Sequence, residues 1–255
     1  MADGLALLGG SFNPLHTGHV RLALEVLYAL PRHIARVELI PCAHPPHKPG
    51  SGMLPFALRA DMAEAACAPF PLLRVNRLEA RRPGYSYTWD TLLEYRQKMP
   101  DVPLYFILGS EDLIQIPSWR RGPELPTLAD FIVVPRADTA EAAFRKAAHA
   151  IWPGAREDEP LASGAMRLRL PRGGSLHYLP LPRLDISATL VRRHWLADRD
   201  IRLLVPDPVP AMLDAQRELA RRCWAGAPAA APASPSAVQP NGASHFSVAN
   251  CPDFG

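Results

Sequence analysis

"LALLGGSFNPLHTGHVRLALEVLYALPRHIARVELIP" spans residues 5–41, and the order of its residue types decides the fold. Leu5–Leu8 is a short apolar run of the kind a buried strand has, and Gly9-Gly10 follows at once. His19–Leu30 is apolar at helical spacing and nearly all round, then stops at Pro31. Arg36–Ile40 reads as a second strand ending at Pro41. Strand, glycine loop, helix and strand make a βαβ unit, whose parallel strands imply a right-handed crossover.

The alternation continues outward from there. Arg59–Cys67 and Ser86–Lys98 read as helices, with Leu72–Arg77 as a strand between them. "LYFIL" (104–108) and "FIVV" (131–134) are continuous apolar runs bounded by Gly and Pro, as central parallel strands tend to be. Thr139–Ile151 is helical, with Thr139 as its N-cap. Arg167–Leu170 and Ser175–Leu179 flank Pro171-Arg172-Gly173-Gly174 and either pair as a hairpin or stand as separate strands; Ser187–Leu196 and Pro208–Arg222 read as closing helices. The expectation is a doubly wound, Rossmann-like α/β domain over residues 1–224, a parallel sheet with helices on both faces. Ligands of such sheets sit beyond the carboxyl ends of the strands, at the switch point. From Ala225 to Gly255, Ala, Pro, Ser and Gly dominate with almost no charge. Such a tail buries too little apolar surface to offset its ordering entropy, so disorder is expected, and a cut after Arg222 is expected to be silent.

Composition excludes more than it assigns. The 255 residues suit one large domain with an appendage, and the apolar share of 48% is ordinary for a globular protein. Twenty-eight basic against 25 acidic residues leave +3, with no basic stripe interleaved with aromatics, so no nucleic-acid partner is expected. Met1–Leu5 lacks a basic segment ahead of an apolar one, and no apolar run approaches the roughly 20 residues that span a bilayer. A cytoplasmic protein with no membrane partner is the expectation. Cys42, Cys67, Cys223 and Cys251 show no zinc-like spacing and are read as reduced thiols. Oligomeric state is not legible.

The loop between the first strand and helix carries the chemistry. It brings backbone N–H groups and a positive helix end to one spot, and its glycines let a ligand approach the backbone. His16 and His19 flank that spot and can donate hydrogen bonds to phosphate oxygens. Metal-binding histidines on a helix usually stand four apart, whereas these are three apart with no acidic ligand beside them, so no protein metal site is assigned. "GGSFNPLHTGH" is neither GxGxxG nor GxxxxGK[ST].

"GGSFNPLHTGH" (9–19) resembles the GGxFxPxHxGH signature of the HxGH nucleotidyltransferases. "IPCAHPPHKP" (40–49), "RRPGYSYTWDTL" (81–92), "FILGSEDLIQIPSW" (106–119) and "LDISATLVR" (184–192) resemble, in order, further segments of the bacterial nicotinate mononucleotide adenylyltransferases. The resemblance implies adenylyl transfer from ATP to nicotinate mononucleotide, giving nicotinate adenine dinucleotide and pyrophosphate in NAD biosynthesis. It implies catalytic roles for His16, His19, Lys48 and Arg192 on the phosphates. Gly9, Gly10, Ser11, Phe12, Gly18, Gly109, Glu111, Ile186 and Ser187 would bind ATP, with Ser187 as helix cap or phosphate donor. Tyr87, Thr88 and Trp119 would receive the acceptor ring and Arg136 the acceptor phosphate. Mg²⁺ would accompany ATP, held by phosphates and water. One departure stands out: the family carries Asp where this chain has Glu111, followed by Asp112. Two other readings stay open, a sister enzyme with another acceptor such as nicotinamide mononucleotide, and a non-catalytic nucleotide-binding regulator.

Overall fold

The computed structural model describes residues 3–46, 52–135, 141–182 and 184–225. Its centre is the opening βαβ unit. Strand β1 (Gly4–Gly10) and β2 (Ile34–Pro41) pair in parallel, and helix α1 (Thr17–Ala29) crosses between them. Helix α2 (Phe56–Cys67) leads to β3 (Leu73–Val75), α3 (Thr88–Lys98) to β4 (Leu104–Gly109), and α4 (Ser110–Gln115) to β5 (Asp130–Val134). After α5 (Glu141–Ile151) come β6 (Arg156–Asp158), β7 (Met166–Arg169) and β8 (Ser175–Tyr178). Helices α6 (Ala188–Leu196), α7 (Pro208–Ala215) and α8 (Arg217–Ala225) follow.

The eight strands form one sheet in the order β3-β2-β1-β4-β5-β8-β7-β6. Pairing is parallel from β3 through β8, and the chain reverses direction along the sheet between β1 and β4. The two segments after residue 166 do pair as a hairpin, so β7 and β6 are antiparallel at one edge of an otherwise parallel sheet. β6 is a three-residue strand of charged residues, with no apolar run to announce it.

Alternation of side chains along the strands divides the core in two. Leu5 and Leu7 of β1 and Leu104, Phe106 and Leu108 of β4 pack with Trp89, Leu92, Leu113 and Phe144 of α3, α4 and α5. Ala6 and Leu8, with Tyr105 and Ile107, face the other way onto Val20, Ala23 and Val26 of α1 and Ala63 and Ala66 of α2. This is the two-sided burial expected of parallel strands. A third cluster joins Leu54 and Met62 to Val191, Trp195, Val209, Leu213 and Trp224, seating α6, α7 and α8 on α2.

Several expected boundaries move for identifiable reasons. Helix α1 begins at Thr17, with His16 as its N-cap, so His19 belongs to its first turn. The expected strand 72–77 shrinks to Leu73–Val75, because Asn76 turns to bond Glu38 and Tyr95, and a 3-10 helix follows at Leu78–Arg81. The last expected helix is two helices, interrupted at Gln216, whose φ of −117° and ψ of 30° leave the helical range. Thr139 and the segment 226–255 lie outside the described residues. The expectation that a cut after Arg222 is silent does not survive: the cut removes Trp224, which is buried in the third cluster.

Candidate active site

β1 ends at Gly10 and β4 at Gly109, on either side of the reversal between them, where a doubly wound sheet opens a crevice. A cleft of about 460 Å³ lies there. Its walls include Gly9, Gly10 and Ser11 from the end of β1, Tyr87 and Thr88 at the start of α3, and Trp119 after α4. Six residues from three separate motifs thus share one cavity.

His16 caps α1 and His19 lies in its first turn, on the loop that continues from Ser11; neither is among the residues lining the cleft. Their rings stack with centroids 3.6 Å apart, and the Phe12 ring meets His19 edge-on at 5.0 Å. The His16 backbone N–H donates to Nδ1 of His19 at 3.2 Å. Accepting at Nδ1 leaves the proton of a neutral imidazole on Nε2, so Nε2 of His19 is a hydrogen-bond donor. Two glycines make this packing possible. A Cβ on Gly18 would come within 3.1 Å of the His16 ring, and one on Gly10 within 2.7 Å of the Phe12 ring.

The loop Ser11–Leu15 is held by residues from far along the chain. Arg192 of α6 donates to the carbonyl of Asn13 at 2.8 Å and to the Thr189 hydroxyl at 3.0 Å, and burial lowers its pKa from the usual value. That leaves the rest of the guanidinium fork for an anion. Ser187 caps α6, its hydroxyl accepting the Leu190 N–H at 3.1 Å, while Ile186 packs against the third cluster. The Thr17 N–H is taken by the Leu204 carbonyl at 3.0 Å, so this amide of α1 serves the protein's own loop.

The neighbourhood of the Glu111 departure has a definite geometry. Asp112 accepts the Gly109 N–H at 3.2 Å and lines the cleft; Glu111 is exposed and is not among the cleft-lining residues. Lys48 and Arg136 lie outside the described residues.

The sequence reading missed four contributors. Arg59 is 1% exposed and donates to three backbone carbonyls, Ser11 at 2.5 Å, Cys42 at 2.8 Å and Leu54 at 2.9 Å. It ties the β1 loop to the loop after β2, and burial lowers its pKa. A signal was present: Arg59 shares a helix face with Ala63 and Ala66, where a charge needs buried partners. Glu79 is buried on the cleft wall, bonded by the Thr91 hydroxyl at 2.7 Å and the Ala43 N–H at 3.3 Å. Cys42 adjoins it, its thiol pushed up to about 12 by burial and then by the Glu79 charge, so it is not a thiolate at neutral pH. Arg120 lines the cleft, with its guanidinium 5.0 Å from the Tyr87 ring centroid and 3.0 Å from Asp90.

Among the described residues no group of three or more His, Cys, Asp and Glu side chains is placed to hold a metal ion. Nor is any described helix long and apolar enough to cross a membrane.

A family model described as cytidylyltransferase-like matches residues 7–194. The chain is 37% identical over 211 residues to a probable nicotinate-nucleotide adenylyltransferase of Geobacter metallireducens, covering 83% of this chain and 95% of the relative. It is 38% identical over 204 residues to a protein of the same description from Marinobacter nauticus, covering 80% and 90%. The solved structure of Plasmodium falciparum nicotinic acid mononucleotide adenylyltransferase complexed with NaAD covers 85% of this chain and 97% of its own, with a TM-score of 0.65 at 17% identity. At that identity the likeness is one of fold.

Proposed function

The chain belongs to the cytidylyltransferase-like family and, within it, to the nicotinate-nucleotide adenylyltransferases, and on that premise we propose how its own residues carry out adenylyl transfer. The acceptor is nicotinate mononucleotide. Its phosphate oxygen attacks the α-phosphorus of ATP in line; a P–O bond to the acceptor forms, the bond to the β-phosphate bridge breaks, and pyrophosphate leaves with the electron pair. A phosphate monoester is an adequate nucleophile at neutral pH, so the protein's task is positioning and charge stabilisation.

The observation that carries this reading is the stacked His16–His19 pair at the α1 N-terminus, on the loop that runs on from the Gly9–Ser11 wall of a cleft also lined by Tyr87 and Trp119. Nε2–H of His19 donates to the phosphoryl oxygens where charge develops, assisted by the positive end of α1 and by Arg192. Gly9, Gly10 and Ser11 put backbone on the cleft wall for the triphosphate, and Gly18 lets the His16 ring pack against the start of α1. Lys48 and Arg136 are assigned the phosphates on the resemblance of their motifs. Mg²⁺ accompanying ATP would supply neutralisation of the pyrophosphate charge, and since no group of described His, Cys, Asp and Glu side chains is placed to hold it, it would be held through the nucleotide.

Trp119 stacks on the pyridine ring, with Tyr87 and Thr88 at its edge. The ring carboxylate needs donors, because Glu79 and Asp112 put negative charge on the same wall. The first-turn amides of α3 supply them, since Tyr87 at its N-cap provides no side-chain acceptor, and Arg120 adds positive charge. A site built this way leaves donors unsatisfied around a carboxamide. Pyrophosphate release with ATP and each mononucleotide tests the assignment. The nicotinate form is expected to be favoured at least about tenfold in kcat/KM, roughly 1.4 kcal/mol. Equal use of both acceptors would overturn it.

A further inference from the structure

Asn13, three residues before His16, is 5% exposed and is the point where three remote segments meet the phosphate loop. Its carboxamide nitrogen donates to the Gly52 carbonyl at 2.6 Å, and its oxygen accepts the Leu54 N–H at 3.0 Å. Its backbone carbonyl takes Arg192. The remaining partner is the indole of Trp224, whose Nε1–H donates to the same side-chain oxygen at 3.3 Å, across 211 residues of chain. We propose that Trp224, on the last described helix, is a positioning residue for adenylyl transfer, holding the Asn13 side chain and through it the loop that presents His16 and His19.

Two features separate this from plain core packing. Trp224 is 3% exposed and stands edge-on to Trp195, with ring centroids 5.2 Å apart and planes at 89°. Packing on α6 accounts for the ring, and a phenylalanine would keep the aromatic contact at a modest packing cost. The N–H is another matter, because it points into a buried polar network and adds a second donor to an oxygen already accepting Leu54. Asn13 is bonded through both its side chain and its backbone carbonyl, which anchors the chain immediately before the Pro14-Leu15-His16 segment. With its side-chain oxygen fixed from the Leu54 side and the α8 side, the loop is braced against both sequence-distant layers.

The proposal rests on the adenylyl-transfer reading for its kinetic test but not for its exchange test, so the two can fail separately. The full-length wild type, Trp224→Phe, Trp195→Phe, Asn13→Ala and the Asn13→Ala/Trp224→Phe double variant are assayed for pyrophosphate release, thermal midpoint and amide exchange over residues 9–19. Trp224→Phe keeps an aromatic ring against α6 and removes the donor, with a net loss of three ring atoms, a packing loss that Trp195→Phe matches. It is expected to lower kcat about fivefold, the worth of one neutral hydrogen bond, with KM for ATP changed less than about twofold. Its midpoint should fall by no more than about 4 °C. Exchange within 9–19 should quicken about fivefold and stay unchanged in β4 and β5. Trp195→Phe, which disturbs the same packing without touching Asn13, should lower the midpoint and leave kcat and loop exchange as they are. The double variant should be no slower than Asn13→Ala alone.

An unchanged kcat and unchanged loop exchange in Trp224→Phe would overturn the proposal, as would equal kcat losses in the two tryptophan variants or multiplied losses in the double variant. A wild type that releases no pyrophosphate would remove the functional reading instead, and the exchange data would still decide whether Trp224 orders the loop.

Discussion

The two ends of the cleft are built on different principles. At the phosphate end, three of the side chains that set the loop are buried and Arg192 is half-buried: Arg59 and Asn13 reach carbonyls and amides of segments 39 to 48 residues away, and Arg192 and Trp224 close in from the C-terminal helices. At the ring end, Trp119 is half-buried, and Arg120 is held by an ion pair with Asp90 and the face of Tyr87, all partly in solvent. Removing one partner of a buried network leaves polar groups unsatisfied, at about 1–3 kcal/mol each. Exposed ion pairs contribute about 0–1 kcal/mol. The phosphate end should therefore be rigid and intolerant, and the ring end adaptable. The chemistry agrees with this division: in-line transfer needs its donors fixed within fractions of an ångström, while a planar ring needs only a stacking surface and an edge.

The largest expected effect is at the phosphate end. His19→Ala removes the Nε2–H donor and is expected to lower kcat on the order of 10²–10³-fold, with circular dichroism close to wild type and a midpoint lowered by a few degrees, because the His16 N–H loses its acceptor. A folded His19→Ala variant with near-wild-type kcat would break the assignment of this end to the transferring phosphates.

Arg59→Met asks whether that end is intolerant for the reason given. Three buried carbonyls lose their donor, which should cost about 3 kcal/mol or more and lower the midpoint by roughly 6–12 °C. Turnover should fall as well, because Ser11 and the loop after β2 lose their common tie. A variant as stable as wild type would mean that the desolvated charge cost as much as its hydrogen bonds returned.

How much of this was legible in the sequence follows the same division. Glycines, histidines and the strand–loop–helix order mark the loop because they are local features with local consequences, and the parallel centre of the sheet follows from apolar runs. The braces were not legible. Asn13 and Trp224 are 211 residues apart, and nothing about a tryptophan in "RRCWAG" says whether its indole N–H is in water or on a loop at the other end of the chain. The antiparallel edge was half legible, since the Pro-Arg-Gly-Gly turn marks a reversal but the charged residues of β6 carry no strand pattern. The contrast between Glu111 and Asp112 depends on which carboxylate the short helix α4 turns toward the Gly109 amide, a matter of one residue of helical rotation.

At the ring end the effects should be smaller and confined to the acceptor. Trp119→Ala removes a stacking face that does not sense the ring substituent. It should lower kcat/KM about tenfold for nicotinate and nicotinamide mononucleotides alike, leaving their ratio intact, with the midpoint little moved because the side chain is only half-buried. A changed ratio would mean that the indole also orders the groups that read the carboxylate.

Arg120→Ala should give the smallest effect and the sharpest comparison. The guanidinium is about half exposed, with a side-chain accessibility of 51%, and it is shared with Asp90. Its attraction for a ring carboxylate is therefore screened by water and partly cancelled by its own partner. Removal should lower kcat/KM for nicotinate mononucleotide by about twofold to fivefold at low ionic strength, with a lesser effect on the nicotinamide form. Raising salt from about 0.05 M to about 0.5 M shortens the screening length to a few ångströms and should erase most of the difference between Arg120→Ala and wild type. The same salt step should leave the deficit of His19→Ala almost unchanged, because that donor acts at hydrogen-bond contact with the phosphate and not through solvent. If both deficits shrink together, the phosphate end is as solvated as the ring end. If the Arg120 deficit persists at high salt, the guanidinium leaves Asp90 and packs onto the acceptor in the bound state.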